Sequence, residues 1–220
     1  MTDTSVPDVS GNGHNGVLVG YSSAGAISNV ILLGDPNYTG RGNIAEPIVR
    51  ATVSVTGEAA SLSSINVNME GTTDVTDITA IKVYSTGTTE LFNPKKTSQY
   101  TLLGESNPAE GDIEIPLSGP LPVGTNYLWV TYDISETATE GNLADVSVNS
   151  ISYSANSTYN VSTPASEGAR EILLKRVLIY SPGDYSSKNY RIPAIVTAHD
   201  GSLVIATDKR KNNQNDLPDD

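Results

Sequence analysis

One stretch decides how this chain folds towards its end, Tyr190-Arg191-Ile192-Pro193-Ala194-Ile195-Val196-Thr197-Ala198-His199-Asp200-Gly201-Ser202-Leu203-Val204-Ile205-Ala206-Thr207-Asp208-Lys209-Arg210. It contains two apolar runs rich in β-branched residues, Ile192 to Ala198 and Leu203 to Thr207. Asp200-Gly201 lies between them, and this dipeptide tolerates the positive φ of a two-residue hairpin turn. The stretch therefore predicts a β-hairpin.

The turn also predicts a register. If Asp200 and Gly201 are the two loop residues, His199 pairs with Ser202, and Arg191 lies directly opposite Arg210. Like charges that face each other across an antiparallel pair repel, so the arrangement calls for an anion between or above them. Because both strands carry apolar residues on both faces, we also expect neighbouring sheets to cover the hairpin on each side.

Asp216 follows Arg210 by six residues, in a polar loop that could fold back over the same end of the hairpin. A carboxyl group beside two guanidinium groups can act as an acid or as an anchor. Residue chemistry alone leaves a second interpretation open, in which the arginines are solvated and Asp216 only caps a turn. A bulge near Lys209 would also break the predicted pairing of the two arginines.

The motif Tyr190-Arg191-Ile192-Pro193, followed by an apolar strand, a glycine turn and Leu203 to Arg210, resembles the start of the catalytic propeller of bacterial exo-sialidases. Many members of that family have Phe where this chain has Tyr190. The resemblance covers about thirty residues. It implies that Arg191 is the first of three arginines that bind the carboxylate of sialic acid. It also implies that Arg210 lies near the 4-hydroxyl of the sugar and that Asp216 is the general acid/base.

The chemistry explains why these residue types are needed. A guanidinium group is permanently charged and can contact both oxygens of a carboxylate, which suits Arg191 to an acidic sugar. Sialidases use a tyrosine nucleophile instead of a second carboxylate, so the acid comes from a loop aspartate such as Asp216. In the family, the tyrosine, its glutamate partner, two more arginines and the Asp-box turns lie further along the chain, and none of them occurs between Asp216 and Asp220. The resemblance thus implies the front piece of a longer retaining enzyme, inactive by itself.

Composition limits the possible partners and compartments. Residues 1–174 hold six basic and nineteen acidic residues, a net charge of −13, whereas residues 175–220 carry +1. An acidic surface of this kind disfavours nucleic acid and anionic membranes. The chain has no cysteine and two distant histidines, His14 and His199, so we expect neither a metal site nor a cofactor. No apolar run could span a membrane and no signal peptide is visible, yet the composition suits a periplasmic or extracellular module.

Residues 16–174 consist of short alternating segments separated by Gly, Pro and Asn, the pattern of an immunoglobulin- or jelly-roll-like β-sandwich. Residues 1–15 are predicted to be a disordered leader, and residues 175–220 the first strands of a truncated six-bladed β-propeller. The predicted strands of residues 16–174 are Val17–Tyr21, Val30–Leu33, Ile48–Thr56, Ser63–Met69, Ile78–Tyr84, Tyr100–Leu103, Asp112–Leu117, Asn126–Ile134, Ala144–Ser154 and Arg170–Leu174.

Three of these segments carry more detailed predictions. Residues 127–134 have substantial side chains on both faces, which predicts a central strand. Ala144, Val146 and Val148 should point to the core, and the change of pattern before Ile151 predicts a bulge. The prolines that punctuate residues 115–124 favour an edge strand or a loop there.

The stretch Leu121-Pro122-Val123-Gly124-Thr125-Asn126-Tyr127-Leu128-Trp129-Val130-Thr131-Tyr132-Asp133-Ile134 resembles the β-sandwich that precedes the propeller in sialidases of gut Bacteroidetes. Such modules are suspected of binding glycans, for which the candidates are Trp129, Tyr127, Tyr38 and Tyr159. Ordinary core packing is the alternative for each. Three hypotheses follow: part of an exo-α-sialidase that acts on sialylated glycans, a non-catalytic glycan-binding module, or a spacer that packs on the propeller.

Overall fold

The computed structural model describes residues 4–6, 16–18, 24–154, 156–162 and 168–213. These residues form an all-β structure with three short 3-10 helices. In chain order the strands are β1 (Thr4–Val6), β2 (Gly16–Leu18), β3 (Ala26–Gly34), β4 (Thr39–Gly40), β5 (Glu46–Thr56), β6 (Ala60–Asn68), β7 (Ile78–Ser85), β8 (Thr101–Ser106), β9 (Asp112–Leu121), β10 (Gly124–Ile134), β11 (Leu143–Ala144), β12 (Ser147–Tyr153), β13 (Ser157–Asn160), β14 (Arg170–Leu173), β15 (Asn189–Thr197) and β16 (Leu203–Arg210). The 3-10 helices are Val75–Asp77, Pro94–Gln99 and Asp184–Ser186.

Two antiparallel sheets make up most of the fold. One has five strands in the order β3-β5-β10-β7-β8, and the other has four in the order β13-β12-β6-β9. A small sheet, β11-β14-β4, lies beside them, and β1 pairs with β2. We call the two large sheets, this small sheet and the segments that connect their strands the two-sheet unit. The last sheet is the ribbon of β15 and β16, which we call the hairpin.

Apolar side chains of both large sheets meet in one core. The side chains of Val53, Ile65, Ile115 and Leu128 are all fully buried in it. Burial of each large apolar side chain stabilises the folded state by about 1.5–3 kcal/mol. The apolar contacts in this shared core are therefore the main interactions that hold the two sheets together. A second, smaller cluster of Ala45, Tyr84, Phe92 and Trp129 lies outside the main core.

The detailed strand predictions are confirmed. Strand β10 is central, between β5 and β7, and residues 128–134 of it are buried. Ala144, Val146 and Val148 are buried, and the register of β12 against β6 shifts between Val148 and Ser150. Strand β9, which contains Pro116 and Pro120, is an edge strand.

Some short elements differ from the prediction. Strands β4 and β13 were not predicted, because they are short and polar and have no apolar alternation. The predicted strand Ala144–Ser154 is divided into β11 and β12. Most of the predicted disordered leader lies outside the described residues, except β1, which pairs antiparallel with β2.

The hairpin is confirmed, but its predicted register is wrong. Thr197 pairs with Leu203, and the N–H of Ala198 donates to the carbonyl of Ser202 at 2.7 Å, so the loop holds three residues, His199 to Gly201. Gly201 has φ +82°, and the Asp200 carboxylate accepts hydrogen bonds from the N–H and the hydroxyl of Ser202 at 3.0 and 2.7 Å. A three-residue loop with glycine in the left-handed region is a standard alternative to the two-residue turn.

Both faces of the hairpin are exposed among the described residues. The large apolar side chains of Ile192, Ile195, Val196, Leu203 and Val204 are each more than half exposed. The prediction that neighbouring sheets cover these faces is therefore not met by the part of the chain that the structure describes.

Candidate functional site

The open end of the hairpin holds the two arginines that the sequence singles out. Arg191 lies opposite Asp208, and Arg210 lies opposite Asn189, so the prediction that the two arginines face each other is wrong. Two features cause the difference: the three-residue loop and a break in register between Arg191 and Ala194, where Ile192 has φ +51°. An Arg-Asp pair across the strands replaces the predicted repulsive one.

Arg191, Asp208 and Arg210 nevertheless share one face of the hairpin. Directly opposite residues point to the same side of an antiparallel pair, and so do residues two apart on one strand. Arg210 is 5% exposed, and its Nη2 donates to the Asp208 carboxylate at 3.0 Å. Arg191 is half-buried, and its carbonyl accepts a hydrogen bond from the Thr207 hydroxyl at 2.7 Å. The face therefore combines two permanent positive charges with one carboxylate, which suits it to a single added anion.

Asp184 joins the loop before the hairpin to the two-sheet unit. Its carboxylate accepts hydrogen bonds from the N–H of Ser181 and the side-chain amide of Asn93, both at 2.9 Å. The ammonium groups of Lys96 and Lys95 lie 3.2 and 3.5 Å from it. Burial by itself would raise the pKa of Asp184, but these four donors together hold the pKa below its usual range. Asp184 therefore stays ionised.

A cleft of about 750 Å³ separates the two-sheet unit from the hairpin and the segment before it. Its apolar lining includes Phe92, Trp129, Tyr180 and Tyr190. The rings of Tyr180 and Tyr190 stack with centroids 4.9 Å apart. Clefts lined by aromatic groups with a few polar side chains are the usual form of small-molecule sites.

The polar part of this cleft is a buried ion-pair cluster around Arg170. Its Nη1 donates to Glu46 at 2.8 Å, its Nε donates to the carbonyl of Asp35 at 3.1 Å, and Nη2 is paired with the Asp35 carboxylate. Burial raises the pKa of Glu46, although Arg170 and other partners act in the opposite direction. The charges and hydrogen-bonding groups of this cluster are paired with one another, so the cluster stabilises the fold at the side of the cleft.

The four aromatic candidates occupy different environments. Trp129 is 9% exposed, its indole N–H donates to the hydroxyl of Thr86 at 3.2 Å, and its ring lies 5.5 Å from Phe92. Tyr127 is half-buried, with the Arg50 guanidinium 5.5 Å from its ring. These two side chains therefore already have protein partners on the faces they present.

Tyr159 and Tyr38 differ from that pair. Tyr159 is half-buried and packs against the main core. Tyr38 is 54% exposed at the edge of the cleft, with the guanidinium of Arg176 5.7 Å from its ring. Of the four, Tyr38 offers the most open ring surface.

Asp216, the candidate general acid/base, lies outside the described residues. Within the described ranges, no group of three or more His, Cys, Asp or Glu side chains could hold a metal ion. In the same ranges, no helix has the length and apolar character needed to cross a membrane.

Sequence reasoning missed Asp208 and Asp184. Asp208 precedes Arg210 by two residues, so strand alternation could have placed both on one face. The role of Asp184 depends on Asn93, Lys95 and Lys96, about ninety residues away along the chain, and no local pattern reveals such contacts. The only local signal was Asn93-Pro94, typical of a capped helix start, and the Asn93 side chain does accept the N–H of Lys95 at 2.9 Å.

Comparison with known proteins agrees with this architecture. Residues 42–158, more than half of the chain, match the family described as the N-terminal domain of BNR-repeat neuraminidase. Among solved structures, the chain is similar to the "Hadza microbial sialidase Hz136", with a TM-score of 0.53 and 19% sequence identity. The match covers 84% of this chain and 39% of that one, so this chain spans well under half the length of that protein.

No curated protein matches the chain. The similarity to the solved sialidase establishes a shared fold, and the match over residues 42–158 establishes the relationship. The chain belongs to the family of N-terminal domains of BNR-repeat neuraminidases.

Proposed function

We propose that this chain is the N-terminal part of a longer retaining exo-α-sialidase that removes terminal sialic acid from glycans. In this proposal the two-sheet unit is the immunoglobulin- or jelly-roll-like sandwich that precedes the catalytic domain. The hairpin supplies the first strands of a six-bladed propeller. The protein would then act outside the cytoplasm, where sialylated glycans are found.

The observation that carries the proposal is the shared face of Arg191, Asp208 and Arg210. Arg191 is the more accessible of the two arginines and would bind the carboxylate of the sugar through two parallel N–H···O bonds. Arg210 is buried and Asp208 holds its guanidinium group in a fixed direction, which suits it to a neutral hydroxyl such as the 4-hydroxyl. This face carries only the first part of the site, because the nucleophile would have to come from elsewhere in the protein.

Asp216 would protonate the leaving group and then activate the attacking water. Family resemblance supports this assignment, together with the chemistry of an anomeric carboxylate that repels an anionic nucleophile. A loop aspartate that closes over the sugar can lose enough water to keep its proton. The tyrosine nucleophile and its glutamate partner would lie in other blades of the propeller.

The test is the substitution Asp216→Ala in the full-length protein. Loss of a general acid reduces the rate by about 10²–10⁴-fold on a substrate with a poor leaving group. We expect a loss of that size in kcat/KM on natural sialosides and a much smaller loss on an aryl sialoside, which needs no protonation. Asp200→Ala at the hairpin loop is the matched control and should leave both rates unchanged. Equal losses on both substrates would contradict the acid role, and an inactive wild-type protein would contradict the proposal itself.

A second candidate function is glycan binding by the two-sheet unit. The observation that favours it is the exposed ring of Tyr38 at the rim of the aromatic cleft. Sugars stack on exposed aromatic rings, and the ring of Tyr38 has both an open surface and a neighbouring cation, Arg176. Binding of the 220-residue chain to an array of asialoglycans and sialoglycans would support this function, whereas no binding to either would favour a role as a spacer.

A further inference from the structure

The loop between the two-sheet unit and the hairpin is held in an unusual backbone conformation. Gly183, Tyr185 and Ser186 have φ values of +89°, +50° and +59°, and the last two are not glycine. A non-glycine residue in the left-handed region is strained, so it persists only where its surroundings impose that conformation. Asp184 lies among these three residues. The partners of its side chain are among the contacts that hold the loop.

The partners of Asp184 come from the two-sheet unit. Asn93, Lys95 and Lys96 belong to the start of the 3-10 helix Pro94–Gln99 or precede it directly. The two lysines make a second contact each, because Nζ of Lys95 donates to the carbonyl of Ile179 at 2.7 Å and Nζ of Lys96 donates to that of Gly183 at 2.9 Å. The loop is thus bound to the two-sheet unit through its carboxylate and through its backbone.

The other side of the same loop is bound to the strand that carries Arg210. The hydroxyl of Ser187 and the N–H of Lys188 both donate to the carbonyl of Arg210, at 2.7 and 2.9 Å. The hydroxyl of Tyr190 donates back to the carbonyl of Asp184 at 2.7 Å. Ser187 is buried, so its hydrogen bond is protected from water. The loop therefore connects the two-sheet unit to the strands β15 and β16, which carry Arg191 and Arg210.

We propose that Asp184 is a positioning residue that fixes Arg191 and Arg210 by clamping the loop of residues 181–188 to the two-sheet unit. The inference rests on the proposed function insofar as the two arginines bind the substrate, but the clamp itself can be tested without it. In this proposal the two-sheet unit helps to position the two arginines, because the three side chains that contact Asp184 from outside its loop belong to that unit. The arginine face is placed by contacts that lie outside the hairpin.

Hydrogen exchange of the 220-residue chain tests the clamp directly. Asp184→Asn keeps the shape and removes the charge that Lys95 and Lys96 face. Loss of charge-assisted hydrogen bonds of this kind should make amide exchange about tenfold faster in residues 187–191 and 208–211, while β6 and β10 keep their protection. Lys96→Gln, which removes one partner and leaves Asp184 intact, should produce a smaller change in the same residues.

Asp200→Asn is the matched control for this experiment. It removes a carboxylate at the other end of the hairpin, so any change should stay within residues 198–203. Unchanged exchange at residues 187–191 in Asp184→Asn would overturn the proposal. A uniform increase over the whole chain would overturn it as well, because that result would show a general loss of stability.

Kinetics of the full-length protein connect the clamp to the arginines. A contact with the carboxylate of the substrate is made in the ground state and in the transition state alike, so its displacement raises KM more than it lowers kcat. We expect Asp184→Asn to raise KM for an aryl α-sialoside about tenfold and to change kcat less than about threefold. An unchanged KM in a folded variant would overturn the positioning role. An inactive wild-type protein would refute the proposed function and leave the exchange result standing.

Discussion

Arg170 is a side chain on which separate parts of the two-sheet unit meet. It comes from β14, and it contacts Asp35 after β3 and Glu46 at the start of β5. One guanidinium faces two carboxylates, and burial raises the pKa of Glu46 despite the opposing effect of Arg170. A buried charge of this kind contributes little when fully paired, yet removal of one partner leaves the others uncompensated.

Substitution Arg170→Met should therefore destabilise the 220-residue chain by about 3 kcal/mol, because Met fills similar volume but leaves Glu46 and Asp35 without their cation. The free energy of unfolding from urea titration measures this loss. Lys175→Met is the matched control, since Lys175 is exposed, and it should change stability by less than about 0.5 kcal/mol. Equal effects of the two substitutions would show that the Arg170 cluster does not hold the unit together.

At the scale of elements, the two large sheets come into close contact where β8 meets β9. A Cβ atom on Gly104 of β8 would lie 2.1 Å from the carbonyl oxygen of Pro116 in β9. Real Cβ atoms do not come this close to backbone, so the two edge strands can touch here only because residue 104 has no side chain. The contact closes one side of the shared core.

Gly104→Ala should therefore force β8 and β9 apart and destabilise the chain by about 1–3 kcal/mol, the usual range for overpacking. Gly168→Ala is the matched control, because among the described residues a Cβ there would meet nothing within 4 Å. It should be neutral or slightly stabilising through a smaller entropy of the unfolded chain. Thermal unfolding of the two variants separates these outcomes, and a stable Gly104→Ala variant would mean that the strands have room to move.

The same elements show what the sequence could predict. Strand β10 was predicted to be central because it carries large side chains on both faces, and the hairpin because Asp200-Gly201 divides two apolar runs. The register of the hairpin could not be predicted. It depends on the backbone hydrogen bond from Ala198 to Ser202 and on the positive φ of Ile192. The sequence predicted that Arg191 and Arg210 lie at the same end of the hairpin, but it placed them by a direct pairing that the structure does not have. The clamp at Asp184 depends on distant residues and could not be predicted.

At the scale of the whole molecule, the hairpin stands out because many of its large apolar side chains are exposed. Ile195 and Leu203 are 64% and 62% exposed, although β-branched and aliphatic residues at such a density are typical of a covered strand. An exposed apolar ribbon of strands tends to associate with other strands. If the proposed function is correct, the rest of a propeller covers these faces in the full-length protein.

The double substitution Ile195→Thr with Leu203→Thr should then act in opposite ways on the two proteins. Thr retains a high strand propensity, so in the 220-residue chain it should reduce self-association in sedimentation velocity and leave stability nearly unchanged. In the full-length protein the same positions would be buried, and two added hydroxyl groups with lost methyl groups should cost about 2–5 kcal/mol. Val123→Thr, at another exposed apolar position, is the matched control and should change neither protein. An unchanged melting temperature of the full-length double variant would mean that the hairpin remains exposed there, and its assignment to a propeller blade would then be wrong.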